Sequence, residues 1–246
     1  MTYYYNGNQL TGVQELGHHY EGFADKTHTQ FNDDYRYDIN GNMTLDRNKG
    51  ITNITYNHLN LPTLVDFGSN KYITYIYDAT GMKMRKRIHD NGVFTNTDYA
   101  NGHVYKNNTL EYVSNAEGYV SPEIVSGSIQ DWNYVYQYKD HLQNIRLSYG
   151  DTNGDGTITA SSEILEEKNY YPFGLKHKGY NTNVSANANS TASKLGFTGK
   201  EHQEELGLEW VDITARNYDP ALARWMNIDP LAEQMRRHSP YNYAFN

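Results

Sequence analysis

No cysteine occurs in the 246 residues. Disulfide staples, thiolate nucleophiles and every cysteine-based zinc site are therefore excluded. The redox compartment stays open, because a chain without thiols tolerates the cytosol and the exterior alike. Basic charge is in deficit: 21 Lys and Arg against 29 Asp and Glu leave a formal net charge of −8. A nucleic-acid partner needs a basic face for its phosphates, so this balance argues against one. The one dense basic run, Lys83-Met84-Arg85-Lys86-Arg87, reads as a solvated strand face. Long apolar runs are missing too, and nothing approaches the roughly 18 residues of a membrane helix. Met1-Thr2-Tyr3-Tyr4-Tyr5-Asn6 has neither the basic nor the apolar region of a signal peptide, so export would be directed by something outside this sequence. The 10 histidines are scattered, with His18-His19 the only adjacent pair. There is no His-x-x-x-His, no Gly-rich phosphate loop and no Gly-x-Ser-x-Gly elbow.

Tyrosine is abundant: 24 residues, against 7 Phe and 3 Trp. A mean hydropathy of −0.84 would suit a disordered chain. Tyrosine, however, buries a large ring while its hydroxyl finds a hydrogen bond, so it can hold thin, half-wet sheets together.

Those tyrosines recur in register. Tyr37-Asp38-Ile39-Asn40-Gly41-Asn42 returns as Tyr56-Asn57-His58-Leu59-Asn60-Leu61 and again as Tyr77-Asp78-Ala79-Thr80-Gly81-Met82, at spacings of 19 and 21 residues. Tyr5-Asn6-Gly7-Asn8 looks like a worn earlier copy. Asp or Asn opens a tight turn by accepting from its own downstream backbone, and Gly relieves the turn's exit. Flanks such as Lys71-Tyr72-Ile73-Thr74-Tyr75-Ile76-Tyr77 alternate with the period of a strand. Each unit is thus strand, turn, strand, and one such hairpin must stack on its neighbours to bury a face.

Residues 91–149 continue in this style, with turns at Asn107-Asn108 and Glu117-Gly118, strong alternation over residues 131–138, and a polar turn, Lys139-Asp140-His141-Leu142-Gln143-Asn144. Residues 179–194 hold Asn, Thr, Ser and Ala with little to bury and read as a flexible linker. Beyond it, residues 201–206 and 231–237 are the only stretches expected to be helical. The closing run Tyr241-Asn242-Tyr243-Ala244-Phe245-Asn246 reads as a strand cut short.

These units resemble YD repeats. Phe197-Thr198-Gly199-Lys200-Glu201, Leu206-Gly207-Leu208-Glu209-Trp210, Ala215-Arg216-Asn217-Tyr218-Asp219-Pro220, Asp229-Pro230-Leu231-Ala232 and Ser239-Pro240-Tyr241-Asn242-Tyr243-Ala244 are similar to the RHS repeat-associated core domain. Asp140-His141-Leu142-Gln143-Asn144 and Tyr170-Tyr171-Pro172-Phe173-Gly174-Leu175 fit the same family. The resemblance implies an all-β chain: a twisted antiparallel YD-repeat strip over residues 1–178, the linker at 179–194, and a small, mostly β core domain at 195–246. RHS proteins, like the C components of Tc toxins, wind such a strip into a shell around a C-terminal toxin. The implied role is structural, as part of a secreted or cell-surface delivery scaffold. Its partners would be the effector or a longer shell chain, and open sheet edges would allow self-association. Two rivals remain: a surface-binding module whose exposed aromatics grip glycan or protein, and an autoprotease. Gln143 and Ala223 stand where the family pattern has Gly, which asks a residue with a Cβ to adopt a left-handed backbone.

Two sites carry possible chemistry. Self-cleavage in this family resembles an aspartic protease, in which two carboxylates share a proton. Arg216 matches the family's Arg and Asp229 its first Asp, 13 residues apart, but the second Asp falls beyond Asn246. Half a dyad cannot divide acid and base roles, so no proteolysis is expected and Arg216–Asp229 reads as a local ion pair. The second site is Asp151-Thr152-Asn153-Gly154-Asp155-Gly156-Thr157, with the Asp-x-Asn-x-Asp-Gly spacing of a calcium loop. Asp151, Asn153 and Asp155 would offer side-chain oxygens and Thr157 its carbonyl. Glu163 would reach in from one place beyond the twelfth position, which Ser162 occupies.

Overall fold

The structure is a computed structural model that describes residues 1–17, 22–26, 33–177 and 189–244. The His18-His19 pair and residues 179–188 of the expected linker lie outside the described residues, as do Phe245 and Asn246. The chain is all-β, and no described helix is long and apolar enough to cross a membrane. It forms two compact units. One comprises Met1–Phe94, Phe173–Leu175 and Gln203–Asn246, the other Thr95–Pro172 and Lys176–His202. This division cuts across the linear boundaries expected at 178 and 195.

The first unit is a run of antiparallel hairpins. β1 (Thr2–Asn6) pairs with β2 (Gln9–Gln14), and β3 (Tyr35–Tyr37) with β4 (Met43–Asp46). β5 (Asn53–Tyr56), β6 (Pro62–Gly68), β7 (Lys71–Tyr77) and β8 (Lys83–Asp90) form a meander. Alternation sends Ile54, Val65, Ile73 and Tyr75 into one core with Leu10, Val13, Tyr35 and Met43. The second unit is a longer meander: β9 (Val93–Ala100), β10 (His103–Lys106), β11 (Thr109–Ser114), β12 (Gly118–Val125), β13 (Ser128–Lys139), β14 (Ile145–Tyr149) and β15 (Ile164–Glu167). Its smaller core is Tyr119, Val135, Leu165 and Ala192.

One turn is built four times. Asp38, Asn57, Asp78 and Asp140 each donate their own amide to the carbonyl four residues on and accept that residue's amide on a side-chain oxygen. Residue three of each turn is left-handed: Gly41 (φ 77°), Asn60 (φ 58°), Gly81 (φ 86°) and Gln143 (φ 66°). The fourth copy lies in the polar turn Lys139–Asn144, where the family pattern already placed Gln143 at a glycine position. A tyrosine hydroxyl then fixes the strand leaving the turn. Tyr56 donates to the Met43 carbonyl, Tyr77 to that of Pro62 and Tyr170 to that of Ile145, each the first residue after such a turn. This hydroxyl contact is why the repeats are held by tyrosine rather than phenylalanine.

Gln143 and Ala223 (φ 54°) both take up the left-handed backbone that their missing glycines would have tolerated. L-residues there cost roughly 1–2 kcal/mol, partly offset by the greater unfolded-state freedom of glycine. Gln143→Gly and Ala223→Gly are each expected to stabilise the protein by about 0.5–1 kcal/mol, read as a higher urea midpoint at unchanged slope. No gain at either site would show that its neighbours have already absorbed the strain.

Returning in the first unit, β16 (His202–Gln203), β17 (Trp210–Asp212), β18 (Asn217–Asp219) and β19 (Arg224–Trp225) lead a segment that closes over the repeat turns. The Tyr241 hydroxyl donates to Gly41 O at 2.7 Å, and the Asn227 amide to Asn60 O at 3.2 Å. The basic run of β8 is not simply a solvated face. Lys86 is fully buried with its ammonium 2.8 Å from Glu205, and Lys83 sits 2.6 Å from Asp212.

Two further expectations change. Residues 201–206 hold β16 and the start of a single 3₁₀ turn, Glu205–Gly207, and residues 231–237 hold the 3₁₀ turn Ala232–Met235, with Leu206 at φ 55° interrupting any helix. Within the expected linker, Ser190–Lys194 forms a short helix, α2, capped by the Asn189 side chain on the Ala192 amide, with Ala192 fully buried.

Candidate functional site

Arg216 and Asp229 do meet. Arg216 precedes β18, and its Nη1 lies 2.9 Å from Asp229 Oδ2 while the guanidinium stacks 3.9 Å from the Trp225 ring centroid. Burial pushes the Arg216 pKa down, against the pull of Asp229. The remaining polar atoms of Asp229 are engaged as well: Oδ1 accepts from the Leu231 amide and the backbone N–H donates to Pro240 O. Asp229 thus links the start of β18, through its carboxylate, to the segment at Pro240, through its backbone N–H. Chemically it is one anion beside one cation, with no second carboxylate in the pair to share a proton.

The Asp151 loop also comes together. Asp151 accepts from the amides of Gly154, Asp155 and Gly156, Asn153 from that of Asp155, and Asp155 from that of Thr157. Glu163, at the end of helix α1 (Ala160–Glu163), is buried inside the loop. Its carboxylate accepts from the amides of Thr159, Thr152 and Asn153, which hold it below the usual carboxyl range. The expected reach of Glu163 is therefore present. The side-chain oxygens placed for a cation already accept from the loop's own amides, Asp155 Oδ2 from the Asn153 side chain and the others from backbone, and a metal would have to share them. Among the described residues, no three His, Cys, Asp or Glu side chains are arranged as a metal site.

Two charged clusters went unseen in the sequence. Asp219 is buried in β18, with Oδ2 3.1 Å from Lys49 Nζ and Oδ1 accepting from the Ala221 amide. Beside them Asp46 accepts the Lys49 amide on Oδ1 and leaves Oδ2 without a hydrogen bond. Burial, opposed by Lys49 and reinforced by Asp219, pushes the Asp46 carboxyl up to about 7. In the second unit Lys168 is buried and donates to Ala192 O and Leu195 O, gathering the carbonyls at the end of α2. The only sequence hint was a Lys or Asp placed where strand alternation points inward.

Tyrosines divide between the two faces. Tyr35, Tyr75, Tyr119, Tyr218 and Tyr241 are buried, while Trp132, Tyr134, Tyr136 and Tyr138 occupy alternate positions of β13 and are all exposed.

No family model and no curated protein matches this sequence. Solved structures do match in fold. The crystal structure of TcdB2-TccC3 aligns over 79% of this chain at 20% identity with a TM-score of 0.58. The Photorhabdus luminescens Tc holotoxin pore aligns over 84% at 20% identity with a TM-score of 0.61. TcdB2-TccC3 without its hypervariable C-terminal region aligns over 79% at 21% identity with a TM-score of 0.56. This chain spans only about a tenth of the length of those chains, 9–10%. Its tyrosine-pinned antiparallel hairpins are folded like a portion of the large chains of Tc toxin complexes.

Proposed function

We propose that this chain is a segment of an RHS/YD-repeat shell, a scaffold that helps enclose and deliver a C-terminal toxin or effector outside the producing cell. The observation that carries the reading is the likeness of 79–84% of the chain to Tc toxin chains some ten times longer. The fourfold Asx turn, tied by a tyrosine hydroxyl in three of its copies, supports it, because such a unit extends indefinitely by repetition. Its partners are then the rest of the shell and the enclosed effector. Electron microscopy of the full coding sequence that contains these residues is expected to show a hollow β-walled particle. A solid particle with no lumen would overturn the assignment.

The autoprotease reading gains nothing from Arg216–Asp229, which acts as a clamp. Intact mass is expected to persist through prolonged incubation of this chain. A discrete fragment that vanishes in Asp229→Asn would reverse that conclusion. The exposed row Trp132, Tyr134, Tyr136 and Tyr138 favours a binding surface as a second, compatible role.

The Asp151 loop we propose as a weak calcium site, with Asp151, Asn153, Asp155, Thr157 and Glu163 as its donors. Because their oxygens already accept amide hydrogens, affinity should be low, on the order of 10⁻⁴ M. Millimolar calcium should stabilise the fold by only about 1–2 kcal/mol. The comparison is thermal melting in calcium and in chelator, for wild type and for Asp151→Ala with Asp155→Ala. Identical melting of wild type in both would leave a self-capped turn.

A further inference from the structure

The hairpin β12–β13 outreaches both neighbours. β11 pairs with β12 only at Val113↔Val120 and Ser114↔Tyr119, and β14 meets β13 only from Tyr136 to Lys139. Over residues 121–133 the two strands have only each other in the ladder. A two-stranded ribbon is marginal in water by itself. This one nevertheless presents Ile124, Val125 and Ile129 at its tip, 40%, 50% and 46% exposed. At the base of the tip Glu123 stands directly across from Asp131. Like charges so placed destabilise a strand pair, and among the described residues neither has a cation beside it. The face that carries Glu123 and Asp131 also carries Val125, two residues on, and its chemical complement is an apolar patch flanked by arginine.

The first unit carries that complement on the face of its meander opposite the core. Ile73 and Tyr75 of β7 are buried, so the alternate residues Thr74 and Ile76 face outward, in register with Arg87 and Arg85 of β8. Ile76 is 55% exposed and Phe94 42%, and the Arg87 guanidinium lies 4.1 Å above the Phe94 ring. Both arginines are exposed.

We propose that the hairpin tip of one copy of this chain, residues 123–131, docks on the Ile76, Arg85, Arg87 and Phe94 face of a second copy. Glu123 and Asp131 meet the guanidiniums, which relieves their mutual repulsion, and Val125 beside them packs on Ile76 and Phe94. Charge at the rim and apolar contact at the centre is the ordinary anatomy of a protein interface. Because tip and face are different patches, the contact is heterologous. Such a contact closes into a ring, the smallest being a reciprocal dimer, or runs on as an open chain. The proposal does not depend on the shell assignment.

Sedimentation velocity of the whole chain over a hundredfold concentration range tests it. Wild type should self-associate, and salt should weaken the association. Glu123→Lys with Asp131→Lys, and separately Arg85→Glu with Arg87→Glu, should each weaken it at least tenfold. Far-UV circular dichroism should show both variants folded, since all four positions are on the surface. An equimolar mixture of the two variants should associate again, because each reversed patch then finds its complement. Trp132 offers an independent readout: it is 40% exposed while Trp210 and Trp225 are buried. Acrylamide quenching should therefore fall as wild-type copies assemble. Wild type that stays monomeric throughout would overturn the proposal. So would a mixture that stays monomeric, or association that neither reversal weakens; the last result would place the contact at open sheet edges.

Discussion

Raising the pH from 4 to 7 is expected to cost the first unit up to about 4 kcal/mol of stability through Asp46. Asp46→Asn should remove that dependence. An aspartate normally titrates near 3.8, and in the fold Asp46 is pushed up to about 7 by burial, against the pull of Lys49 and with the push of Asp219. Between those values the native state holds a proton that the unfolded chain has released, so stability falls as pH rises through the window and levels off above it. Each tenfold change in proton affinity is about 1.4 kcal/mol, which sets the upper figure. The pull of Lys49 is already contained in that figure. Asparagine keeps an oxygen for the Lys49 amide and cannot ionise. Urea titrations of wild type and Asp46→Asn at pH 5 and pH 8 decide the matter. The variant should gain on wild type at the higher pH, and a difference that is equal at both would rule the mechanism out.

What the sequence made legible is what lies within five residues of itself. The turns at Asp38, Asn57 and Asp78 need only one acceptor side chain and a residue that tolerates a left-handed backbone, all inside one short motif. The copy at Asp140 entered through the family resemblance instead of the repeat spacing, because Tyr138 stands one place further off and Gln143 fills the glycine position. The linker around α2 misled for a different reason. Ala192 is too small to signal burial in a pattern, yet tertiary packing leaves it no exposed surface. Lys86 read as a surface residue because its partner is remote, Glu205 lying 119 positions away, and the partner of Lys168, Ala192, is 24 positions off. The same distance hid the Asp46, Lys49 and Asp219 cluster and the interleaving of the two units. The Arg216–Asp229 pair was legible only through resemblance. The resemblance named its two residues, and the structure brings them to 2.9 Å.

Lys168→Met is expected to cost the second unit about 2–4 kcal/mol, more than most substitutions of a residue written as charged. The side chain follows β15 and is buried to the tip, with its ammonium donating to Ala192 O and to Leu195 O at 2.9 Å, and with Glu166 at 3.7 Å. α2 is five residues long and cannot hold itself by propensity. Its N-terminal end is fixed by Asn189, which accepts from the Ala192 amide and from the Tyr119 hydroxyl. Its C-terminal carbonyls depend on Lys168. Methionine preserves nearly the same volume and apolar stem, so little of the loss would come from a cavity. What remains is the desolvation penalty of two carbonyls deprived of a charged donor, roughly 1–3 kcal/mol each before relaxation. Lys168→Ala should cost more, about 3–5 kcal/mol, because the stem is lost as well. Hydrogen exchange gives the local readout: amides of Ser193 and Leu195, which bond to Asn189 O and Thr191 O, should exchange much faster in Lys168→Met, while those of β6 and β7 keep their wild-type rates. A uniform loss of protection across both units would show instead that Lys168 is buried for packing alone.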